Sequence, residues 1–118
     1  MKLITAIVRP EKLDELILAL TDHGVRGLTV TDVRGFGQQY GRLAGAATRV
    51  SGRPGEHMAV LLTKVRLDLV TLDDDVETIV EAIAKHARTE TIGDGKIWVT
   101  PVDGAVRVRT GERDRAAV

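Results

Sequence analysis

Lys64-Val65-Arg66-Leu67-Asp68-Leu69, then Asp73-Asp74-Asp75, then Val76-Glu77-Thr78-Ile79-Val80-Glu81-Ala82-Ile83 is the stretch that decides the fold class. Val65, Leu67 and Leu69 alternate with Lys64, Arg66 and Asp68. That period of two describes a strand with one apolar face, and the run predicts it over about residues 58–70. Val76, Ile79, Val80 and Ile83 instead fall at i, i+3, i+4 and i+7, the spacing of a helix with a single apolar stripe. The three aspartates between them suit the positive end of that helix and predict its cap.

The first half of the chain has the same plan. Lys2–Val8 is a short apolar strand rich in β-branched residues, and Pro10 follows at a plausible first helical position. Leu13, Leu16, Ile17 and Leu20 repeat the helical stripe over about residues 11–22, and Gly24 ends it. Residues 25–36 alternate loosely, Leu28 and Val30 against Thr29 and Thr31, and residues 97–100 form a last strand. The order β-α-β-β-α-β with two single-stripe helices predicts an α+β, ferredoxin-like sandwich: one antiparallel sheet with both helices on one face. The first and third strands read as apolar on both sides, so the uncovered sheet face is expected to be buried in an oligomer.

With 118 residues the chain is long enough for one domain with its own core. Lysine plus arginine equals aspartate plus glutamate at 17 each, so no basic excess marks a general nucleic-acid or membrane-surface binder. Aromatic residues at 3% are too few for a base-stacking platform. The absence of cysteine excludes a disulfide framework, a thiolate zinc site and a cysteine nucleophile. The apolar run at residues 2–8 is too short and interrupted for a signal peptide, and no stretch reaches membrane-spanning length, so a cytoplasmic location is the expectation.

Two segments suggest an anion site. Thr89-Glu90-Thr91-Ile92-Gly93-Asp94-Gly95-Lys96 is a glycine-punctuated turn that ends in lysine at the mouth of a strand. Glycines let backbone amides approach an anion, and Lys96 adds a mobile charge. Val106-Arg107-Val108-Arg109 alternates, so an extended chain there would point Arg107 and Arg109 to one side as a phosphate cradle. Between the second and third strands, residues 37–57 hold five glycines and no apolar periodicity. A loop of that length in a compact domain suggests function, and 38–57 reads as a mobile protrusion.

These residues carry a family likeness. The chain resembles the PII signal-transduction proteins (nitrogen regulatory protein P-II) over nearly its whole length outside residues 42–57. The likeness rests on Met1–Val8, Gly27-Leu28-Thr29-Val30-Thr31-Asp32-Val33, Gly35-Phe36-Gly37-Gln38-Gln39, Lys64-Val65-Arg66-Leu67, Gly93-Asp94-Gly95-Lys96 and Arg107-Val108-Arg109-Thr110-Gly111-Glu112. It implies a single 1–118 domain with a T-loop at 38–57, a nucleotide turn at 88–96 and a C-terminal segment at 103–118. It further implies a homotrimer that binds ATP or ADP between subunits, with Mg2+ accompanying ATP, 2-oxoglutarate bound at the T-loop base, and the loop docking on a target protein such as an ammonium transporter.

Carried over by position, the phosphates would meet Gly93, Asp94, Gly95 and Lys96 of one subunit and Arg107 and Arg109 of its neighbour. Ile7, Thr29, Gly35, Phe36, Gly37, Gln38 and Thr89 would line the adenosine side. Gln39 would ligate the metal, and Lys64 would pair with a carboxylate of 2-oxoglutarate beside Gln39 and Gly93. Arg49 and Arg53 are the loop's candidate anchors for a partner. Three departures stand out. Gln38 replaces the family's usual arginine, and Thr63 replaces its usual proline. The loop is longer than usual and puts Thr48 or His57, depending on alignment, where a modified tyrosine belongs; the sole tyrosine is Tyr40 at the loop base. A regulatory binding protein and not an enzyme is therefore expected. The alternative is a specialised adenylate-charge or small-anion sensor without a 2-oxoglutarate response.

Overall fold

The computed structural model describes residues 1–37, 47–50 and 59–118, with residues 47–50, 59 and 60 described by their backbone only. The elements in chain order are β1 (Lys2–Val8), α1 (Leu13–Asp22), β2 (Thr29–Gly35), β3 (Ala47–Val50), β4 (Ala59–Thr71), α2 (Val76–Ala87) and β5 (Lys96–Pro101). The main sheet runs β2-β4-β1-β5 and is antiparallel throughout. This is the predicted α+β order and topology.

Register explains the core. Ile4, Ala6 and Val8 of β1 lie opposite Leu69, Leu67 and Val65 of β4, so one face carries all six apolar residues. All six are buried, together with Leu16 and Leu20 of α1 and Ile79, Ile83 and Ala87 of α2. Burying a leucine or isoleucine completely contributes about 2–3 kcal/mol, which makes these side chains the main source of stability. The helical stripes hold except at Ile17, which lies at the edge and is partly exposed.

Several expectations are corrected in detail. Pro10–Lys12 and Asp73–Asp75 form single 3-10 turns before the two helices, so the first α-helix starts at Leu13 and not near residue 11. Neither α2 nor the turn before it has a side-chain capping hydrogen bond; the aspartates favour the helix by charge, and Asp73 Oδ1 accepts from the N-terminal ammonium at 2.9 Å. The second strand is shorter than predicted because residues 25–28 lead into it without pairing. Within the presumed loop, Ala47–Val50 is strand: it pairs antiparallel with residues 59–62 of β4, which extends beyond the end of β1. The rest of the loop lies outside the described residues.

The open sheet face is mixed, not apolar. β1 presents Leu3, Thr5 and Ile7 there, and β4 presents Lys64, Arg66 and Asp68 as well as Val70 beside them. Thr5 is fully buried, and its Oγ1 donates to Asp68 Oδ1 at 2.7 Å. Arg66 holds the same carboxylate through Nε at 2.8 Å and a terminal nitrogen at 3.2 Å. The Arg66 hydrogen bonds outweigh partial burial and hold the Asp68 carboxyl below its ordinary range. Among the described residues, no helix is long and apolar enough to cross a membrane.

Candidate functional site

The turn between α2 and β5 is shaped by unusual backbone angles. Glu90 has φ 63°, Gly93 104° and Gly95 98°. Glycine at 95 is dictated twice: the φ disfavours a side chain, and a Cβ there would sit 1.7 Å from the Ile7 carbonyl oxygen. The turn thus lies directly on the end of β1.

Asp94 organises the turn. Its carboxylate accepts from the Thr89 amide at 2.7 Å, the Glu90 amide at 2.8 Å, the Thr89 hydroxyl, and Arg9 Nε at 3.0 Å. Desolvation pushes its pKa up, but these donors outweigh that effect and hold it far below the ordinary carboxylate range. The Asp94 side chain is thus spent inside the turn, and only its backbone is left to face a ligand.

Beside the turn is a cavity of about 520 Å³, in the range of small-molecule sites. Ile7, Gly35, Phe36, Gly37, Leu62, Lys64, Thr91, Ile92, Gly93, Asp94, Gly95 and Lys96 line it. The fold puts them together because β4 brings Lys64 opposite Val33 of β2, while β1 brings Ile7 opposite Lys96. The Lys64 ammonium donates to the Gly93 carbonyl at 2.6 Å, which ties the middle of the sheet to the turn. Burial, followed by repulsion from Arg9, lowers the Lys64 pKa, while Glu11 and Asp94 partly restore it. A site with two ammonium groups, small backbone-lined walls and an apolar rim at Phe36 and Ile92 suits an anionic ligand that also has a flat apolar part.

The other predicted residues lie elsewhere in the chain. Thr29 is at the opposite end of β2, paired with Asp68, and does not line the cavity. Thr89 acts through Asp94. Arg107 lines a separate cavity of about 590 Å³ with His23, Arg26, Gly27, Asp75 and Ile79 among others. Arg107 and Arg109 do not form an extended cradle. Gly111 N donates to Arg107 O and Arg107 N to Glu112 O, both at 2.8 Å, and Val106 bridges to Arg113, so the segment is a tight turn. Val108 is 98% exposed at its tip, and Glu112 engages the Arg107 guanidinium at 3.1 Å.

Gln38, Gln39 and Arg53 lie outside the described residues, as do Tyr40 and His57. Arg49 pairs its backbone with Val60, and nothing describes its side chain. The metal ligand expected at Gln39 is therefore not located. Among the described residues, no group of three or more histidines and carboxylates is arranged to hold a metal. His86 faces Glu15 across the helix pair at 2.9 Å, and His23 Nδ1 meets the Ala19 carbonyl at 2.8 Å.

Arg9 and Leu62 escaped the sequence reading, while Thr91 and Ile92 lay within the predicted turn without a role of their own. Arg9 had a usable signal: it follows β1 directly, so antiparallel pairing with β5 brings it level with the glycine turn.

Comparison with known proteins agrees with this architecture. The family model described as "Nitrogen regulatory protein P-II" matches residues 1–112. A protein named "Nitrogen regulatory protein P-II 2" from Methanothermobacter thermautotrophicus is 48% identical over 118 residues, covering 100% of this chain and 97% of that protein. "Nitrogen regulatory protein P-II" from Cereibacter sphaeroides is 48% identical, and its namesake from Synechocystis sp. is 43% identical, each covering 100% of both chains.

Proposed function

Because the chain belongs to the nitrogen regulatory protein P-II family of non-enzymatic signal transducers, we propose that it reports cellular state by binding ATP or ADP in clefts completed by neighbouring copies of a homotrimer. The phosphates meet the Gly93–Lys96 backbone and the Lys96 ammonium, with Arg107 and Arg109 reaching in from the next subunit. Gln39 holds Mg2+ when ATP is bound, and 2-oxoglutarate binds against Lys64 beside Gly93. The T-loop at 38–57 carries the signal to a target protein, with Arg49 and Arg53 as its anchors.

One observation carries this reading. The glycine turn, Lys96 and Lys64 line one cavity, while Thr29, Arg107 and Arg109 lie away from it in the same chain. A cavity lined by two of the expected cations, with the other two elsewhere in the chain, is suited to completion by a second copy. The residues present fit the phosphate end of a nucleotide: Gly93 and Gly95 line the cavity without side chains, and Lys96 stands beside them.

Calorimetry with ATP and ADP, paired with light scattering at micromolar protein, tests the proposal. Lys96→Ala, or Arg107→Ala with Arg109→Ala, is expected to weaken ATP by about 1.5–3 kcal/mol per lost charge-assisted contact. A stable monomer, or unchanged affinity in both variants, refutes it.

The second reading is an adenylate or small-anion sensor that ignores 2-oxoglutarate. It is favoured by the Lys64–Gly93 hydrogen bond of 2.6 Å, which takes one of the ammonium's three donors and fixes its direction, and by Gln38 and Thr63. Titration with 2-oxoglutarate in the presence of Mg-ATP separates the two. Heat that disappears in Lys64→Ala supports the first; no heat at millimolar ligand supports the second.

A further inference from the structure

A turn that grips phosphate must hold its amides and lysine in one geometry before the ligand arrives. The turn at 89–95 is not held by backbone preference alone, since glycine is the most freely rotating residue at 93 and 95 and Glu90, which has a side chain, sits at φ 63°. Something must hold it, and Arg9 is the group in position. Its side chain is only 15% exposed. Its Nε donates to Asp94 Oδ1 at 3.0 Å, and one terminal nitrogen donates to Thr91 Oγ1 at 2.9 Å and the Ile92 carbonyl at 2.8 Å. Asp94 extends the grip to the amides of Thr89 and Glu90. The two side chains thus fix both arms of the turn to the end of β1.

We infer that Arg9 is a positioning residue of the anion turn, acting through Asp94, Thr91 and the Ile92 carbonyl and not by touching phosphate. This rests on the nucleotide reading of the site. The planar fork is what matters: three acceptors in three directions are matched by a guanidinium, and an ammonium on a flexible stem cannot span them together. Arg9 therefore contributes to affinity by cutting the ordering cost of the turn. Lys96 contributes by charge.

The test uses full-length protein, with ATP titration and ligand-free hydrogen exchange of residues 89–96 measured on the same samples. Arg9→Ala and Asp94→Asn are each expected to weaken ATP roughly tenfold to a hundredfold. The double variant should be no weaker than the worse single one, because both remove one clamp. Turn exchange should accelerate in both, and stay unchanged in Lys96→Ala although that variant also loses affinity. Arg9→Lys keeps the charge and should stay close to Arg9→Ala. Wild-type affinity in Arg9→Lys overturns the inference. So does an Arg9→Ala loss with unchanged turn exchange, which would mean direct ligand contact, or losses that multiply in the double variant. If Arg9→Ala does not fold, Arg9→Lys and Asp94→Asn carry the same comparison. If wild type fails to bind ATP, the nucleotide reading falls, and turn exchange alone decides the clamp: faster in the variants upholds it, unchanged refutes it.

Discussion

Gly95→Ala is the sharpest perturbation this fold offers. Two costs combine at that position. Gly95 has φ 98°, beyond the left-handed region an alanine tolerates, and such backbone strain costs about 1–3 kcal/mol. The new Cβ would also stand 1.7 Å from the Ile7 carbonyl oxygen and 2.7 Å from its carbon. Both are backbone atoms of a central strand, so no side chain can swing aside. The turn must move by more than an ångström, and Arg9 and Lys64 tie it where it is. A strain of that kind adds on the order of 1–3 kcal/mol as overpacking. Gly24→Ala supplies the control: its φ is 84°, and nothing lies within 4 Å of its Cβ position, so it bears the backbone cost alone. For a chain of 118 residues, 1 kcal/mol shifts Tm by about 4 °C. Gly95→Ala should therefore melt roughly 4–12 °C below Gly24→Ala at matched protomer concentration. Equal melting of the two variants would refute the close approach of turn and strand.

Other consequences follow from the same packing. Leu67→Ala empties a fully buried site between sheet and helices and should cost about 2–5 kcal/mol by urea unfolding; a loss under 1 kcal/mol would mean the core closes over the gap. Thr5→Val keeps the shape but removes the hydroxyl that donates to Asp68, and should cost about 1 kcal/mol in the same assay; a gain in stability would show the polar network to be unfavourable. Asp94 has a folded pKa below its unfolded value, so its contribution is present above the unfolded pKa near 4 and is lost as pH falls through the lower folded one. The Thr89 and Glu90 amides should thus stay protected at pH 4 and open only in stronger acid, as followed by NMR; opening at pH 5 would contradict the hydrogen bonds from those amides.

Periodicity made the fold legible because one face of β1, β4 and each helix is buried. Val65, Leu67 and Leu69 could not alternate as they do, nor Val76, Ile79, Val80 and Ile83 repeat at helical spacing, unless sheet and helix met across a common core. Features that depend on a partner element were not legible. β3 was not legible because Ala47-Thr48-Arg49-Val50 carries no alternating apolar pattern, and its pairing with residues 59–62 of β4 depends on a distant partner. The mixed character of the open face was missed for a related reason: the apolar runs of β1 and β4 drew attention from Thr5, Arg66 and Asp68, which interrupt them. Only the register that sets Thr5 against Asp68 turns them into a network.

The candidate site divides along the same line. Gly95 and Lys96 could be read locally, since a glycine turn ending in lysine has its meaning within eight residues. Arg9 could not, since it lies 85 residues from Asp94 in sequence and meets it only through antiparallel pairing of β1 with β5. Arg107 and Arg109 show the opposite failure. Alternation suggested an extended cradle, but Gly111 at φ 73° lets the chain turn back so that Glu112 reaches Arg107. In that turn the two arginines stand apart from the glycine turn of their own chain. A phosphate that engages all three cations must then draw them from two copies, so a monomeric variant should lose nucleotide affinity even with every one of those residues intact. Dilution below the oligomer's dissociation constant, followed by ATP titration, measures this; full affinity in the monomer would mean that one chain closes the site alone.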